Sequence, residues 1–319
     1  MIKLVQNELI KIFYRVGTYV MIGLLLLMVL ITGGFMKYQE SQTLDDNQQS
    51  WKNELTVQNE QLKKDLAEMK GHAPKEQIEY LEKQIAINEY RIKNNLSPNE
   101  NYSMWDFVTD ASPFIEFAGL FTIIIAAGIV ASEFNWGTIK LLLIRPISRT
   151  KILISKYITV ILFALFMLFV LFSFATFVGA VLFGVPDQSS PYLLYTDGKV
   201  IEQPIVVYLI TTFLLKYVNT IMLATMAFMI SAVFRNNSLA IGLSLFLMLM
   251  GSQITRMIAI KYDWAKYLLF ANTDLMQYIE GTPIVEGMTM TFSVTMLIIY
   301  FVLFQALAHY VFQKRDVAA

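Results

Sequence analysis

Six stretches of this chain are apolar for long enough to cross a lipid bilayer, and that constrains everything else the chain can be. A helix needs roughly 20 mostly apolar residues to traverse the hydrocarbon core. Six segments come close to or exceed that length: approximately Val16–Met36, Phe114–Ala131, Tyr157–Gly184, Ile205–Val233, Leu239–Met257 and Met288–Phe312. The third and fourth are longer than needed, which predicts tilt or extension into the interface. Of the 319 residues, 56% are hydrophobic, against roughly 45–50% in a soluble domain. The expected fold is an all-α polytopic membrane protein with six transmembrane helices. It divides into residues 1–36 (an interfacial helix and the first span), 37–112 (a soluble insert) and 113–319 (spans two to six).

The first stretch has a basic flank in Lys3, Lys11 and Arg15. Its apolar run is too long for the core of a signal peptide and lacks a clear small-residue cleavage site, so it reads as an uncleaved anchor. Orientation follows from the short flanks, where lysine and arginine favour the cytoplasm. With the N-terminus inside, the cytoplasmic side collects eleven basic residues: Lys3, Lys11, Arg15, Lys140, Arg145, Arg149, Lys151, Lys156, Arg235, Lys314 and Arg315. Only three acids accompany them: Glu8, Glu133 and Asp316. The short outer loops carry Lys199, Arg256, Lys261 and Lys266 among seven acids. Both termini are therefore expected in the cytoplasm, in a multi-pass protein of the cell membrane.

The long first loop holds most of the charge. Leu55, Leu62, Leu66 and Met69 fall at intervals of seven, four and three, and Ile78, Leu81, Ile85 and Ile92 at three, four and seven. Gly71-His72-Ala73-Pro74 separates the two runs as a helix stop and restart. The pattern predicts an extracellular antiparallel helical hairpin with coiled-coil-like stripes. The first fifteen residues form an amphipathic helix, with Ile2, Val5, Leu9, Ile12 and Phe13 on one face and Lys3, Asn7, Lys11 and Tyr14 on the other. Such a helix can lie in the interface with its basic residues among lipid headgroups. No internal repeat is detectable, so an inverted-repeat transporter is not supported.

The segment with most chemistry follows the second span. Glu133 stands at the membrane exit, Gly137-Thr138 follows, then a short apolar run containing Leu141, then Arg145-Pro146-Ile147-Ser148-Arg149-Thr150-Lys151. Pro146 interrupts the short helix, and Ser148 is placed to cap the next one. A positive-inside loop would explain the arginines but neither Glu133 nor Gly137-Thr138.

This pattern, E-x3-GT-x6-RP-x-SR-x-K, resembles the cytoplasmic loop of ABC-2-type permeases, the membrane subunits of bacterial exporters for bacitracin, lantibiotics, sodium and related cargo. The "elbow" helix before the first span, the six spans and a terminal F-x-K-R-D from Phe312 to Asp316 agree with that resemblance. Together they cover most of the chain, though only the Glu133–Lys151 block is specific. The first outer loop is longer than in minimal members, which bears on cargo. The resemblance implies a permease that pairs with a second permease copy around a cargo path and rests on cytoplasmic ATP-binding-cassette ATPases. In it, the elbow helix and Glu133, Gly137, Thr138, Leu141, Arg145, Pro146 and Arg149 would meet the ATPase. ATP and magnesium would be bound by that partner chain, with no cofactor in this one. Independently, the chain lacks G-x4-GK-[ST], so it cannot cradle nucleotide phosphates in the P-loop manner. Membrane lipid is an expected partner and nucleic acid is not.

Within the spans, Lys216 lies about eleven residues into the fourth stretch, some ~16 Å at 1.5 Å per residue, and Asn219 is one turn beyond. An unpaired lysine there costs at least ~2.5 kcal/mol on insertion scales. Glu116, at the outer end of the second span, is a candidate partner, and snorkelling to the interface is the alternative. Gln253 and Arg256 read as features of an interfacial anchor. Between Ala259 and Gly287, Trp264, Tyr267 and Tyr278 read as interface anchors, and the resemblance implies short re-entrant helices there. Two other functions compete. Gly242-Leu243-Ser244 and His309 sit near the inner ends of the fifth and sixth spans, a Ser–His pairing that an intramembrane serine protease would need. Leu245 stands where a rhomboid-like motif wants glycine, no oxyanion donor is evident, and His72 lies in the outer turn. The third reading is a membrane-anchored sensor or scaffold that uses the outer hairpin. The chain has no cysteine, which excludes disulfides and thiolate metal sites.

Overall fold

The computed structural model describes residues 1–43, 51–72, 75–97, 102–138, 147–186, 191–196, 198–234, 236–279, 281 and 283–314. Among them, six helical spans are long and apolar enough to cross a membrane, as the sequence predicts: Val16–Gln42, Met104–Asn135, Arg149–Phe183, Ile205–Phe234, Asn237–Ala259 and Met290–Lys314. In chain order the helices are α1 (Ile2–Phe13), α2 (Val16–Thr43), α3 (Trp51–Met69), α4 (Lys75–Asn94), α5 (Met104–Ala111) and α6 (Ile115–Asn135). They continue with α7 (Arg149–Phe183), α8 (Ile205–Phe234), α9 (Asn237–Ala259), the single turn α10 (Leu269–Asn272) and α11 (Met290–Lys314).

Helix α6 is the centre of the bundle. Its span is 72% buried, whereas those of α2 and α11 are each 17% buried. Small residues let neighbours approach it, as is usual where hydrophobicity alone cannot hold helices together in lipid. A Cβ on Gly119 would meet Thr220 Oγ1 of α8 at 3.2 Å. Ser231 Oγ of α8 accepts from the amides of Val130 and Ala131 at 3.3 and 3.0 Å. The three poorly buried spans, α2, α9 and α11, leave apolar faces outward.

Several boundaries differ from the sequence reading. Helix α7 starts at Arg149, eight residues before the apolar run at Tyr157, so Lys156 is inside it. Ser148 precedes that helix but its side chain makes no capping bond. Helix α2 runs past Met36 to Thr43, carrying polar residues beyond the hydrocarbon. The second span is preceded by α5 and a 3-10 turn, Ser112–Phe114, with Pro113 where a new helix tolerates it. The helices are joined by one element the all-α reading omitted: an antiparallel pair of strands, β1 (Tyr192–Thr196) and β2 (Lys199–Gln203), with Tyr195 opposite Val200.

Helices α3 and α4 pack on each other. The contact combines apolar Leu55 and Ile85 with a buried amide pair, in which Asn88 Nδ2 donates to Asn59 Oδ1 at 3.0 Å. Lys63 and Glu89 pair across the rim at 2.7 Å. Met69, assigned to the apolar stripe, is exposed. Tyr90 OH donates to Glu202 Oε1 at 3.2 Å, tying α4 to β2. At the opposite end of the bundle, Arg149 Nη1 donates to the Gln313 carbonyl at 3.0 Å and Gln313 Nε2 to Thr150 Oγ1 at 2.7 Å. The α3–α4 pair thus shares an end with the strands, and the start of α7 shares the other with the end of α11.

Between α9 and α11 the chain folds into two 3-10 turns (Asp263–Tyr267 and Leu275–Tyr278) around α10. Trp264 and Tyr267 are half exposed, as anchors should be. Tyr278 instead turns inward, its hydroxyl 2.6 Å from Ser293 Oγ, which donates to Asn272 Oδ1.

The absence of native cysteine permits a direct test of sidedness. Single cysteines replacing Gln58 or Lys199 should react with an impermeant thiol reagent on intact cells. Those replacing Lys151 or Ser238 should react only after lysis; labelling with the opposite pattern would overturn the arrangement.

Candidate functional site

The sequence reading placed Glu8, Lys11, Glu133 and Lys156 separately, as flanking charges at one end of the bundle. The structure brings all four together. Helix α1 stops at Phe13 and the chain turns through Tyr14-Arg15 into α2. Thr18 closes this elbow by donating to the Ile12 carbonyl at 2.6 Å, which also accepts from the Arg15 amide. Phe13 packs edge-on against Phe166 of α7 at 5.1 Å, which fixes the rotation of α1. The face turned to the bundle then carries Glu8 and Ile12.

Glu8 meets Lys156 of α7, Oε2 to Nζ at 2.7 Å. Lys156 Nζ also lies 2.7 Å from Glu133 Oε1 at the end of α6 and donates to the Ile129 carbonyl at 3.2 Å. Lys156, fully buried, thus hydrogen-bonds Glu8 and the Ile129 carbonyl and forms an ion pair with Glu133. Lys11 completes the set, 2.6 Å from Glu8 Oε1 and 3.1 Å from Glu133 Oε1. It was expected among lipid headgroups; two inward carboxylates draw it to the protein instead. The cluster holds two cations and two anions and is neutral, the condition under which burying charge is tolerable. Glu133 Oε2 is buried without a hydrogen-bond partner among the described residues.

The rest of the signature splits. Gly137 has a positive φ of 69°, the left-handed conformation that ends a helix and favours glycine. Thr138 Oγ1 lies 3.4 Å from the Glu133 carbonyl. Gly137-Thr138 is therefore the terminal cap of α6. Leu141, Arg145 and Pro146 lie outside the described residues. Arg149 opens α7 and is held to the end of α11. Phe134 and Phe312 lie 6.4 Å apart edge-on, and Arg15 sits over the Trp136 ring at 5.2 Å. The Glu133–Arg149 segment thus leaves and re-enters the bundle between α1 on one side and the end of α11 on the other. An open apolar groove of about 450 Å3, lined by Leu9, Ile10, Phe13, Tyr14 and Tyr19, follows the inside of the elbow.

The other candidate residues do not assemble. Lys216 is half-buried and donates to Ser112 Oγ at 3.3 Å; Glu116 is exposed and no ion pair joins the two. Ser244 is buried with its hydroxyl unpartnered, while His309 Nδ1 lies 2.9 Å from the Gln305 carbonyl in its own helix. No hydrogen bond connects that serine and histidine.

With the geometry in place, likeness to other proteins can be read against it. Residues 80–318 match the family described as "Protein of unknown function (DUF2705)". The chain belongs to that family. It is 51% identical over 320 residues to "Uncharacterized protein YhcI" of Bacillus subtilis (strain 168), covering all of both chains. It is 33% identical over 200 residues to "Uncharacterized membrane protein YdbK" of the same organism, across 61% of this chain and 76% of that one. The family match spans Glu133 and Lys156; the match to YhcI extends over α1 as well. Length, composition and the name of YdbK agree that this DUF2705 chain is a multi-pass membrane protein.

Two outcomes test the cluster. Lys156→Met leaves two buried carboxylates sharing Lys11 alone and should destabilise the protein by about 3–5 kcal/mol. Glu8→Gln with Lys156→Met should cost less than the sum of the single changes, by about 1 kcal/mol or more. Additive losses in detergent-solubilised protein would mean that the charges do not act together.

The second outcome is a pH window. Burial pushes the Glu8 carboxyl up, but the Lys156 charge and hydrogen bonds from both lysines outweigh it, leaving its pKa below 4.5. Burial pushes Lys11 down, and Glu8 and Glu133 more than offset this, leaving its pKa above 10.5. The Glu8 contribution is complete above its ordinary value and is lost as pH falls through the depressed one; the Lys11 contribution is lost as pH rises through the raised one. Protease protection of α1 should therefore stay flat between about pH 5 and pH 10 and fall on either side.

Proposed function

We propose that the chain is the membrane-spanning permease subunit of an ATP-binding-cassette exporter, forming a cargo path and coupled to separate cytoplasmic ATPase subunits. The observation that carries this reading is the junction of α1, α6 and α7. The Glu133–Arg149 segment, whose pattern resembles the ATPase-facing loop of ABC-2-type permeases, is rooted in the same buried charges that hold the elbow helix. A displacement of that segment would move α1, α6 and α7 together, because neither Glu8 nor Glu133 can leave Lys156 without weakening the pairing of a fully buried ammonium.

Glu133 takes a different part from the one its position in the loop implies. It faces inward as a positioning residue, and contact with the ATPase falls to Leu141, Arg145 and the arginine flank. The end carrying these groups is cytoplasmic by its basic excess, which puts the α3–α4 hairpin outside the cell. The outward apolar faces of α2, α9 and α11 provide area for a second permease copy, identical or related, and for lipid. In this reading the elbow helix lies in the inner interface, where the exposed Ile2, Ile10 and Tyr14 would meet the bilayer.

The test separates docking from folding. Arg145→Ala and Leu141→Ala should leave expression and thermal stability within about 0.5 kcal/mol, yet reduce co-purification of the ATPase and stop export. Lys314→Ala, which loses an exposed bond to the Tyr310 hydroxyl and a contact over its ring, should do neither. Loop variants that retain both activities as fully as Lys314→Ala would remove the main support for the assignment.

A further inference from the structure

The apolar groove at the elbow has a slope and a charge that define what fits it. About 450 Å3 is bounded by Leu9, Ile10, Phe13 and Tyr14 of α1 and by Tyr19 of α2. Phe13 is a fixed wall, because its ring is held against Phe163 and Phe166 of α7. Helix α1 is inclined along α7: Glu8 pairs with Lys156, whereas Phe13, further along α1, meets residues further along α7. The groove therefore lies deeper in the bilayer than the start of α1. Lys3, Ile10 and Tyr14 stand at i, i+7 and i+11 and share one face of α1. Lys3 is about 10 Å from Ile10 on the shallow side, at 1.5 Å per residue. Side chains lean towards the start of their helix, which carries the Tyr14 hydroxyl from the groove towards Lys3. Lys3, Tyr14 and Tyr19 are exposed, and their polar ends have no hydrogen-bond partner among the described residues. Glu8 is the one acid between Met1 and Gln39, and it is buried on another face against Lys11 and Lys156.

We propose that the elbow groove holds one anionic glycerophospholipid, drawn from the leaflet at the charge-cluster end of the bundle. An acyl chain lies in the groove against Leu9, Ile10 and Phe13, the Tyr14 hydroxyl donates to an ester or phosphate oxygen, and the Lys3 ammonium meets the phosphate. The headgroup is shallow and the chain deep, as in the leaflet around it. The anionic preference follows from the charge of that face, where a phosphate finds cations and no carboxylate to repel it. One wall of the groove is Phe13 in its docked position, so the lipid binds α1 only while α1 is docked, and occupancy strengthens that docking by mass action. The site stands whether or not the chain is an exporter subunit.

The experiment uses the full chain purified in mild detergent, with phosphatidylglycerol and phosphatidylethanolamine as probes and bound lipid counted by native mass spectrometry. Wild type should retain one phosphatidylglycerol in preference to phosphatidylethanolamine. Lys3→Gln should weaken phosphatidylglycerol binding about 5-fold, the effect of one cation near an anionic headgroup, and leave phosphatidylethanolamine unchanged; Lys3→Arg should restore it. Ile10→Trp, which fills the groove, should abolish retention of the lipid. Half-maximal protection of α1 from protease should need about 5-fold more phosphatidylglycerol in Lys3→Gln than in wild type. Glycerol phosphate should not compete; displacement by it would assign the site to a soluble phosphate ester and overturn the lipid. Equal phosphatidylglycerol binding by wild type and Lys3→Gln, or full retention by Ile10→Trp, would overturn the proposal. Lys3 is an exposed side chain, so its variants decide the matter even if Ile10→Trp does not fold.

Discussion

A lysine with no exposed surface, Lys156, fixes the cytoplasmic architecture proposed for this protein. Removing an ammonium from water costs several kcal/mol even after relaxation, so α7 can fold past Lys156 only if anions are delivered to it. One comes from the end of α6, the other from α1, and the Ile129 carbonyl accepts a hydrogen bond. The elbow helix is therefore more than a flank lying on the membrane. It completes the coordination of a charge in the third span, and its own Lys11 compensates the second carboxylate. Three elements distant in sequence share one electrostatic condition: none can move far unless the others follow.

How much of this was legible beforehand depends on the range of each interaction. The six spans were readable because crossing hydrocarbon imposes a local demand of about 20 apolar residues. Gly137 stood in the sequence only as part of the loop pattern; the structure shows it in the left-handed conformation that ends α6. The paired apolar stripes of α3 and α4 were readable from spacing, though the buried Asn59–Asn88 bond between them was not. The strands Tyr192–Thr196 and Lys199–Gln203 were missed despite the Asp197-Gly198 pair, a recognised hairpin signal. The cluster was out of reach for a different reason. Glu8 and Lys156 are 148 positions apart, and each alone looks like an ordinary charge beside an apolar run. The one local hint was that Glu8 and Lys11 lie three apart on α1, with the glutamate between Val5 and Ile12 on the apolar side.

The corrections share a cause. Lys11 reads as headgroup-facing, Glu133 as ATPase-facing by resemblance, and Glu116 as a candidate partner of Lys216 with snorkelling as the alternative, each from a charge's place in the sequence without the helices that surround it. In the folded chain Lys11 and Glu133 face each other across α1 and α6, while Lys216 finds a hydroxyl and Glu116 stays exposed. The bundle separates its polar functions by end. One end concentrates paired, buried charge at the root of the Glu133–Arg149 segment; the other carries the α3–α4 pair, the strands and Lys216, whose contact among the described residues is the Ser112 hydroxyl. Under the proposed function, that division would separate an ATPase-facing end from an end exposed to cargo or lipid.

The most direct measurement is the composition of the native assembly. The wild-type chain, carrying a small C-terminal tag, would be isolated from its own membranes in a mild detergent and its stoichiometric companions identified by mass spectrometry. The account predicts an ATPase with a P-loop, present in amounts comparable to the chain, whose hydrolysis rate changes when the chain is removed. Recovery of the intact, folded chain without any such ATPase would contradict the exporter assignment.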